Sequence, residues 1–361
     1  MNLQELRKRA GLTQGELARQ LGVDASLLSR WERGEREPSF AQRMELARRL
    51  GVTVDYLAHG RLAAKFKFRA GRARDADGRR RIERAITEME QQLHFIDEAR
   101  TRANEPLRPF LLSVELRGQQ VEAAATQIRD LLQLNRRVTF GELKQALTER
   151  NVFIFCWHLP AEMSGATYRG EFAAIFINAR HDEERRLFTL AHEAAHLFCH
   201  LRSEDADRQT EVSIASNRDP LEKEANALAA ELLMPAAEIQ KYLDKAHGEL
   251  KQPVLLDNAA RFFNVSREAM FYRLTEFGLF NWSEKAAYFK KTGAKEAAPS
   301  VRVDDIADQV APDFLRMGFA LYIEGKISAG KLAEWLGCSR RKIDSYLSES
   351  DRKQEESGLL E

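Results

Sequence analysis

Cysteine is scarce. Only Cys156, Cys199 and Cys338 occur in a chain of 361 residues. Three widely spaced thiols cannot make a disulfide framework, which excludes the small cross-linked secreted scaffolds and suits a reducing compartment. Long apolar runs are missing too, and no stretch approaches the ~20 residues a membrane-spanning helix needs. The opening Met1-Asn2-Leu3-Gln4-Glu5-Leu6-Arg7-Lys8-Arg9 has no signal-peptide apolar core, so the expectation is a cytoplasmic protein with no membrane partner. Nor does one sign of charge dominate. The 56 Lys and Arg face 55 Asp and Glu, a formal net charge of +1, so any affinity for nucleic acid must be local.

The apolar residues that are present, 44% of the chain, are enough for packed cores in two or three domains. One stretch stands out chemically: Phe188-Thr189-Leu190-Ala191-His192-Glu193-Ala194-Ala195-His196-Leu197-Phe198. It is an H-E-x-x-H motif inside an apolar-periodic run that reads as a helix. Residues four apart share a helical face, so His192 and His196 can direct two imidazoles at one metal ion. Glu193 can then act as a general base beside a metal-bound water.

A catalytic zinc takes three protein ligands and leaves a fourth position open. The third donor is sought in a downstream helix that Asp219 can cap, that Pro220 suits at its first turn and that Pro235 ends. Ala225, Leu228, Ala229 and Leu232 form its apolar stripe. Glu222 extends that stripe toward the interior, whereas Glu224 lies off it and is expected to face solvent, so Glu222 is preferred. Zinc would bring its bound water toward a pKa of ~7, and Glu193 would carry the proton from that water to the leaving nitrogen of a peptide. Asn226, one turn after Glu222, can orient a ligand ring. Tyr168, Arg169 and His200 are candidates for oxyanion stabilisation.

Residues 1–58 read as five short helices. Thr13 caps one, with Glu16 completing a capping box; Gly22 allows a sharp turn; Asp24 caps the next helix and Gly34 ends it. Leu17, Ala18, Leu21, Val23, Leu28 and Trp31 supply a compact core. This is helix-turn-helix spacing, in which the second helix enters the major groove of double-stranded DNA. Ala25, Ser26, Ser29 and Arg30 would face bases or phosphates, Gln14 would reach the backbone, and Arg30 could fork onto a guanine. A module that only docks a protein partner would share the same core.

From Arg61 to Arg81 basic residues outnumber acidic ones, and Phe66 and Phe68 alternate with Lys65, Lys67 and Arg69. Such a stretch can track a phosphate backbone and stack on bases, possible contacts to single-stranded DNA as an activating signal; a solvated linker has the same composition. Helices are expected from Ile82 to about Ala103, over 119–134 and over 140–149. The clearest strands are Val152–Trp157 and Phe172–Ile177, short, apolar and rich in aromatic or β-branched residues. Either could be an edge against which a substrate peptide lies as an added strand. Cys156, on the first, is a candidate fourth metal ligand and redox switch, while Cys199 is expected in the core. Residues 255–263 and 267–277 read as a helical pair joined through Asn264-Val265-Ser266, whose apolar faces are expected to pack on the domain that carries H-E-x-x-H. Residues 327–343 repeat a helix-turn-helix rhythm, and the tail from Asp351 is expected to be disordered.

Residues 1–58 resemble the Xre/Cro-type repressor domain. Residues from about 140 to 280 resemble the ImmA/IrrE metallopeptidases, on the strength of His192-Glu193-Ala194-Ala195-His196, Glu222-Lys223-Glu224-Ala225-Asn226, Leu232-Leu233-Met234-Pro235 and Phe263-Asn264-Val265-Ser266. Leu228 stands where an aromatic is common. The resemblance implies that Glu222, first glutamate of E-x-x-A-N, is the third ligand of a single zinc ion. It also implies a regulator that cuts a cognate repressor of Xre type to relieve repression, in stress, DNA-damage or phage-defence signalling.

The expected fold is α+β and mostly helical. It comprises an all-α helix-turn-helix domain over 1–60, a basic linker and helical connector over 61–118, a zincin-like α+β peptidase domain with a small sheet over 119–282, and a helical region with a tail over 283–361. The expected function is zinc-dependent endopeptidase. The alternative is a DNA-binding regulator that uses the peptidase fold as a sensor scaffold without proteolysis.

Overall fold

The computed structural model describes residues 3–50, 66–70, 76–106, 108–116, 121–201, 213–214, 219–245, 252–290 and 306–348. Their contacts separate into two compact units, one drawn from within 1–62, 86–107 and 304–361, the other from within 63–85 and 108–303. The chain is mostly helical with a single described sheet, an α+β protein.

In the first unit four helices cover Leu3–Arg9, Gln14–Leu21, Ala25–Glu32 and Phe40–Leu50. The Thr13 hydroxyl accepts from the Glu16 amide, and the Glu16 carboxylate accepts from the Thr13 amide, so both orphan donors of this helix start are satisfied. Gly22 turns the chain with φ of 66°, a conformation that costs glycine little. Asp24 occupies the next cap position with extended backbone but makes no side-chain cap bond. Leu3, Leu17, Leu28, Trp31 and Leu46 close the core between these helices. A fifth helix, expected over the remainder of 1–58, falls outside the described residues.

The C-terminal helices of this unit follow the expected rhythm. Ser328 caps Ala329–Trp335, the chain turns at Gly337 with φ of 61°, and residues 340–348 are helical again. Trp335 donates from Nε1 to Glu98 at 3.3 Å and packs near Phe95.

In the second unit five strands run in the order β2-β4-β3-β1-β5, with β1 at Phe66–Ala70, β2 at Val152–Trp157, β3 at Met163–Arg169, β4 at Ala173–Asn178 and β5 at Ser213–Ile214. Every residue of β4 is buried, as a central strand covered on both faces requires. It pairs parallel with β2 and antiparallel with β3. Having partners on both sides, β4 cannot be the edge that takes an added strand; β2 is the outer one.

Two strands depart from the sequence expectation. The segment Phe66–Ala70, expected as basic linker, pairs antiparallel with β3, Lys67 opposite Thr167 and Arg69 opposite Gly165. The neighbouring residues 61–65 and 71–75 lie outside the described set. Met163–Arg169 was not singled out as a strand, since its Ser, Gly, Ala and Thr make no apolar run.

Asp182 accepts from the Arg185 amide at 2.8 Å and starts the helix Glu183–Ala195, which packs on β3 and β4. This helix continues into one wider π turn over His196–His200, where the Leu201 amide reaches back to the His196 carbonyl at 2.9 Å. Asp219 caps Pro220–Leu233, accepting from the Leu221 amide at 3.0 Å. That helix lies against Glu183–Ala195 on one side and Val121–Leu132 on the other. Its stripe of Ala225, Leu228, Ala229 and Leu232 is fully buried. Ser266 caps Arg267–Glu276, accepting from the Ala269 amide at 3.1 Å, and Asn264 makes the turn before it with φ of 54°. This last helical pair belongs to the same apolar core as the sheet and its covering helices. No described helix is long and apolar enough to cross a membrane.

Candidate metal centre

Two helices and one strand converge on the H-E-x-x-H turn. Nε2 of His192 and Nε2 of His196 are 3.1 Å apart, as one face of a single helix dictates. From the neighbouring helix, Glu222 places Oε2 3.2 Å from His192 Nε2 and Oε1 3.1 Å from His196 Nε2. The ligand atoms of the three residues lie within 4.8 Å of one another, and all three residues are buried.

This set fits a zinc ion on its own chemistry. Zinc–nitrogen and zinc–oxygen bonds of about 2.0–2.1 Å place tetrahedral donor atoms roughly 3.3 Å apart, close to the separations found. Two imidazoles and one carboxylate are an ordinary catalytic donor set, and they leave one tetrahedral position open. Burial pushes the Glu222 pKa up, but hydrogen bonds with His192 and His196 outweigh it and hold the carboxyl well below the usual carboxylate range. The side chain is therefore ready as an anionic donor.

The supporting contacts are just as specific. Asn226 Oδ1 lies 3.1 Å from His192 Nδ1. An amide oxygen can only accept, so that nitrogen carries the hydrogen and Nε2 presents its lone pair to the donor cluster. On the strand side, the Thr167 hydroxyl lies 2.6 Å from Glu193 Oε2 and 3.2 Å from its backbone carbonyl. Two residues earlier, β3 passes so close to the helix that a Cβ on Gly165 would sit 2.8 Å from Thr189 Cγ2 and 2.9 Å from Glu193 Oε1.

Residues 154–275 match the model of a peptidase family described as the IrrE N-terminal-like domain, and residues 3–57 match a helix-turn-helix model. The chain thus carries a segment similar to a helix-turn-helix domain and, downstream, one similar to this peptidase domain. Comparison with curated proteins and with solved structures returned no match. The centre just described lies within the IrrE-like domain.

Other expected site residues fall elsewhere. Cys156 is buried in β2 within the apolar core and outside the His192, His196 and Glu222 donor cluster, so it is not brought in as a fourth ligand. The reason is register: Cys156 pairs with Ile177, which pairs with Gly165, so it stands two strands away from the strand under Glu193. Tyr168 packs its ring on Phe172 at 5.3 Å; alternation puts it on the sheet face opposite Thr167. Arg169 donates to the carbonyls of Leu197 and Leu201 at 2.8 and 2.7 Å, and so serves the backbone of the π turn. Glu224 does not simply face solvent. It is half-buried, with Oε2 3.2 Å from His200 Nε2. Cys199 is buried, as expected of a core residue.

In the helix-turn-helix domain, Ala25, Ser26 and Arg30 are exposed along the helix Ala25–Glu32, with Ser29 half-buried beside them. Two of the expected DNA contacts have partners within the domain. Ser29 accepts from Arg33 at 2.7 Å, and Gln14 donates to Glu32, itself paired with Arg7. Thr167 and Gly165 were not singled out from sequence. Only the pairing of β3 under the helix reveals them.

Proposed function

We propose that this protein is a zinc-dependent endopeptidase that cuts a partner transcriptional repressor of helix-turn-helix type, and that its N-terminal domain binds double-stranded DNA. The observation that carries the reading is the buried group of two imidazoles and one carboxylate, spaced as tetrahedral zinc requires, with a glutamate next to the first imidazole.

His192, His196 and Glu222 hold the ion, one per chain. Zinc bound there supplies Lewis acidity, lowering the pKa of coordinated water toward ~7 and polarising the scissile carbonyl. The Glu193 carboxylate takes the proton of the attacking water and delivers it to the departing amide nitrogen as the C–N bond breaks. Thr167 keeps that carboxylate oriented. Apolar walls from the Glu183–Ala195 and Pro220–Leu233 helices limit water around the reacting groups.

The N-terminal domain supports a repressor as substrate: a peptidase fused to a DNA-binding module can be delivered to the operator its target occupies. Ala25, Ser26, Ser29 and Arg30 form the face directed at the groove, with Gln14 at the phosphate backbone. The test is cleavage of a helix-turn-helix repressor encoded beside this protein. Cleavage that is lost with a chelator, restored by zinc and absent in Glu193→Gln supports the reading. An intact repressor in the presence of zinc-loaded protein and operator DNA refutes it, and favours a regulator that uses the domain as a sensor.

A further inference from the structure

The π turn brings a third histidine to the centre. His200 is buried, with its side chain 3% exposed, and its Nδ1 lies 2.9 Å from Nδ1 of His196. Its other nitrogen, Nε2, lies 3.2 Å from Glu224 Oε2 on the Pro220–Leu233 helix. We propose that His200 and Glu224 are positioning residues for the metal: a hydrogen-bonded pair behind His196 that fixes which of its nitrogens faces the ion.

Hydrogen accounting gives one consistent arrangement. His196 directs Nε2 at His192 and Glu222, so that nitrogen keeps a lone pair for the metal and Nδ1 carries the hydrogen. The partner of Nδ1 must then accept, which requires His200 to have a bare Nδ1 and a hydrogen on Nε2. That hydrogen points at a carboxylate, the strongest acceptor a side chain offers. The chain His196 to His200 to Glu224 is thus fully satisfied with both rings neutral. It mirrors the simpler arrangement on the other ligand, where His192 donates directly to Asn226.

Both acceptors come from the helix that carries Glu222. One helix therefore supplies a ligand and orients the other two ligands, Asn226 directly and Glu224 through His200. The π turn under His200 is itself braced, because Arg169 donates to the carbonyls of Leu197 within it and Leu201 just after it. Wide turns of this kind recur at functional sites because they re-aim a side chain at the cost of regular hydrogen bonding. A histidine kept merely to fill core space would need neither the second acceptor nor the braced turn.

The inference rests on His192, His196 and Glu222 holding zinc. It is tested in the full-length protein by zinc affinity, measured in competition with a chromophoric chelator, and by the visible absorption of the cobalt(II)-loaded form. His200→Phe keeps the ring volume but removes both hydrogen bonds; His200→Asn retains an acceptor near the Nδ1 position; Glu224→Ala removes the outer partner. Loss of an outer hydrogen-bond partner weakens metal binding by about 10–100-fold. That loss is expected for His200→Phe, with a smaller one for Glu224→Ala, substantial recovery in His200→Asn, and shifted cobalt band positions in the weakened variants. A filler role would lower the melting temperature of the metal-free protein without moving zinc affinity or the cobalt bands. Should His200→Phe fail to fold, the half-buried Glu224→Ala decides. Parental zinc affinity in these variants overturns the proposal alone, whereas a parent protein that binds no zinc overturns the metal site with it.

Discussion

The Thr167 hydroxyl donates to Oε2 of Glu193 across 2.6 Å, from a strand that neither residue's sequence neighbourhood announces. A hydrogen bond to a charged group contributes about 1.5–3 kcal/mol. Thr167→Val, which keeps the shape and removes the donor, should lower kcat by about 10–100-fold with KM and zinc content unchanged. Thr167→Ser should retain most of the activity. Steady-state kinetics on a cleavable repressor, with metal analysis of each variant, checks both.

Glu193→Gln keeps the size of the side chain and removes its basicity. Zinc content should remain at the parental level while the rate falls by roughly 10²–10⁴. Full activity in this variant would remove Glu193 from the reaction.

Gly165 is required by space rather than by backbone conformation. In Gly165→Ala the new methyl would meet Thr189 Cγ2 at 2.8 Å and Glu193 at 2.9–3.0 Å. Overpacking of this kind costs about 1–3 kcal/mol. The melting temperature should fall, and activity should fall further than stability alone accounts for, because the displaced group is Glu193. Thermal unfolding and kinetics together test this.

His181 links stability to pH. Burial, then the nearby Arg185 charge, push its pKa down from 6.5 to about 4. The unfolded chain therefore binds the proton more readily than the folded one between these values. Stability from this residue is fully present above pH about 6.5 and is lost as the pH falls toward about 4. His181→Gln should flatten the loss of stability over this window, measured by denaturant unfolding at a series of pH values.

Arg30 is the exposed cation on the face of the Ala25–Glu32 helix. If it forks onto a guanine, Arg30→Ala should cost about 1–3 kcal/mol of binding and relax preference at one base pair. Gel-shift titration on the parental operator and on single-base variants measures both. Unchanged binding would remove Arg30 from the contact, and a parent protein that shifts no operator DNA would assign the module to protein docking.

Much of this organisation was legible in the chain because it rests on local periodicity. Capping residues at Thr13 and Asp219 and the stripe from Ala225 to Leu232 mark helices whose faces follow from 3.6 residues per turn. The same rule puts Glu222 inside with His192 and His196. It misjudged Glu224, since solvent exposure was inferred from helix angle alone and the π turn that brings His200 within reach has no sequence mark. β3 escaped notice because its task is close approach. Gly165 and Thr167 are small or polar where a strand is ordinarily recognised by bulk. Cys156 was overread: proximity to the metal depends on strand order, and β4 separates β2 from β3.

Glu222 and Glu224 stand two positions apart on one rod, yet the first reaches His192 and His196 directly while the second bears on His196 only through His200. Sliding that rod by a single residue would misplace every partner at once, so its offset against the neighbouring helix is fixed from both ends. Anyone grafting this centre onto a smaller scaffold must therefore carry over the pair of helices with their native stagger; copying the five-letter signature alone would transplant two loose rings.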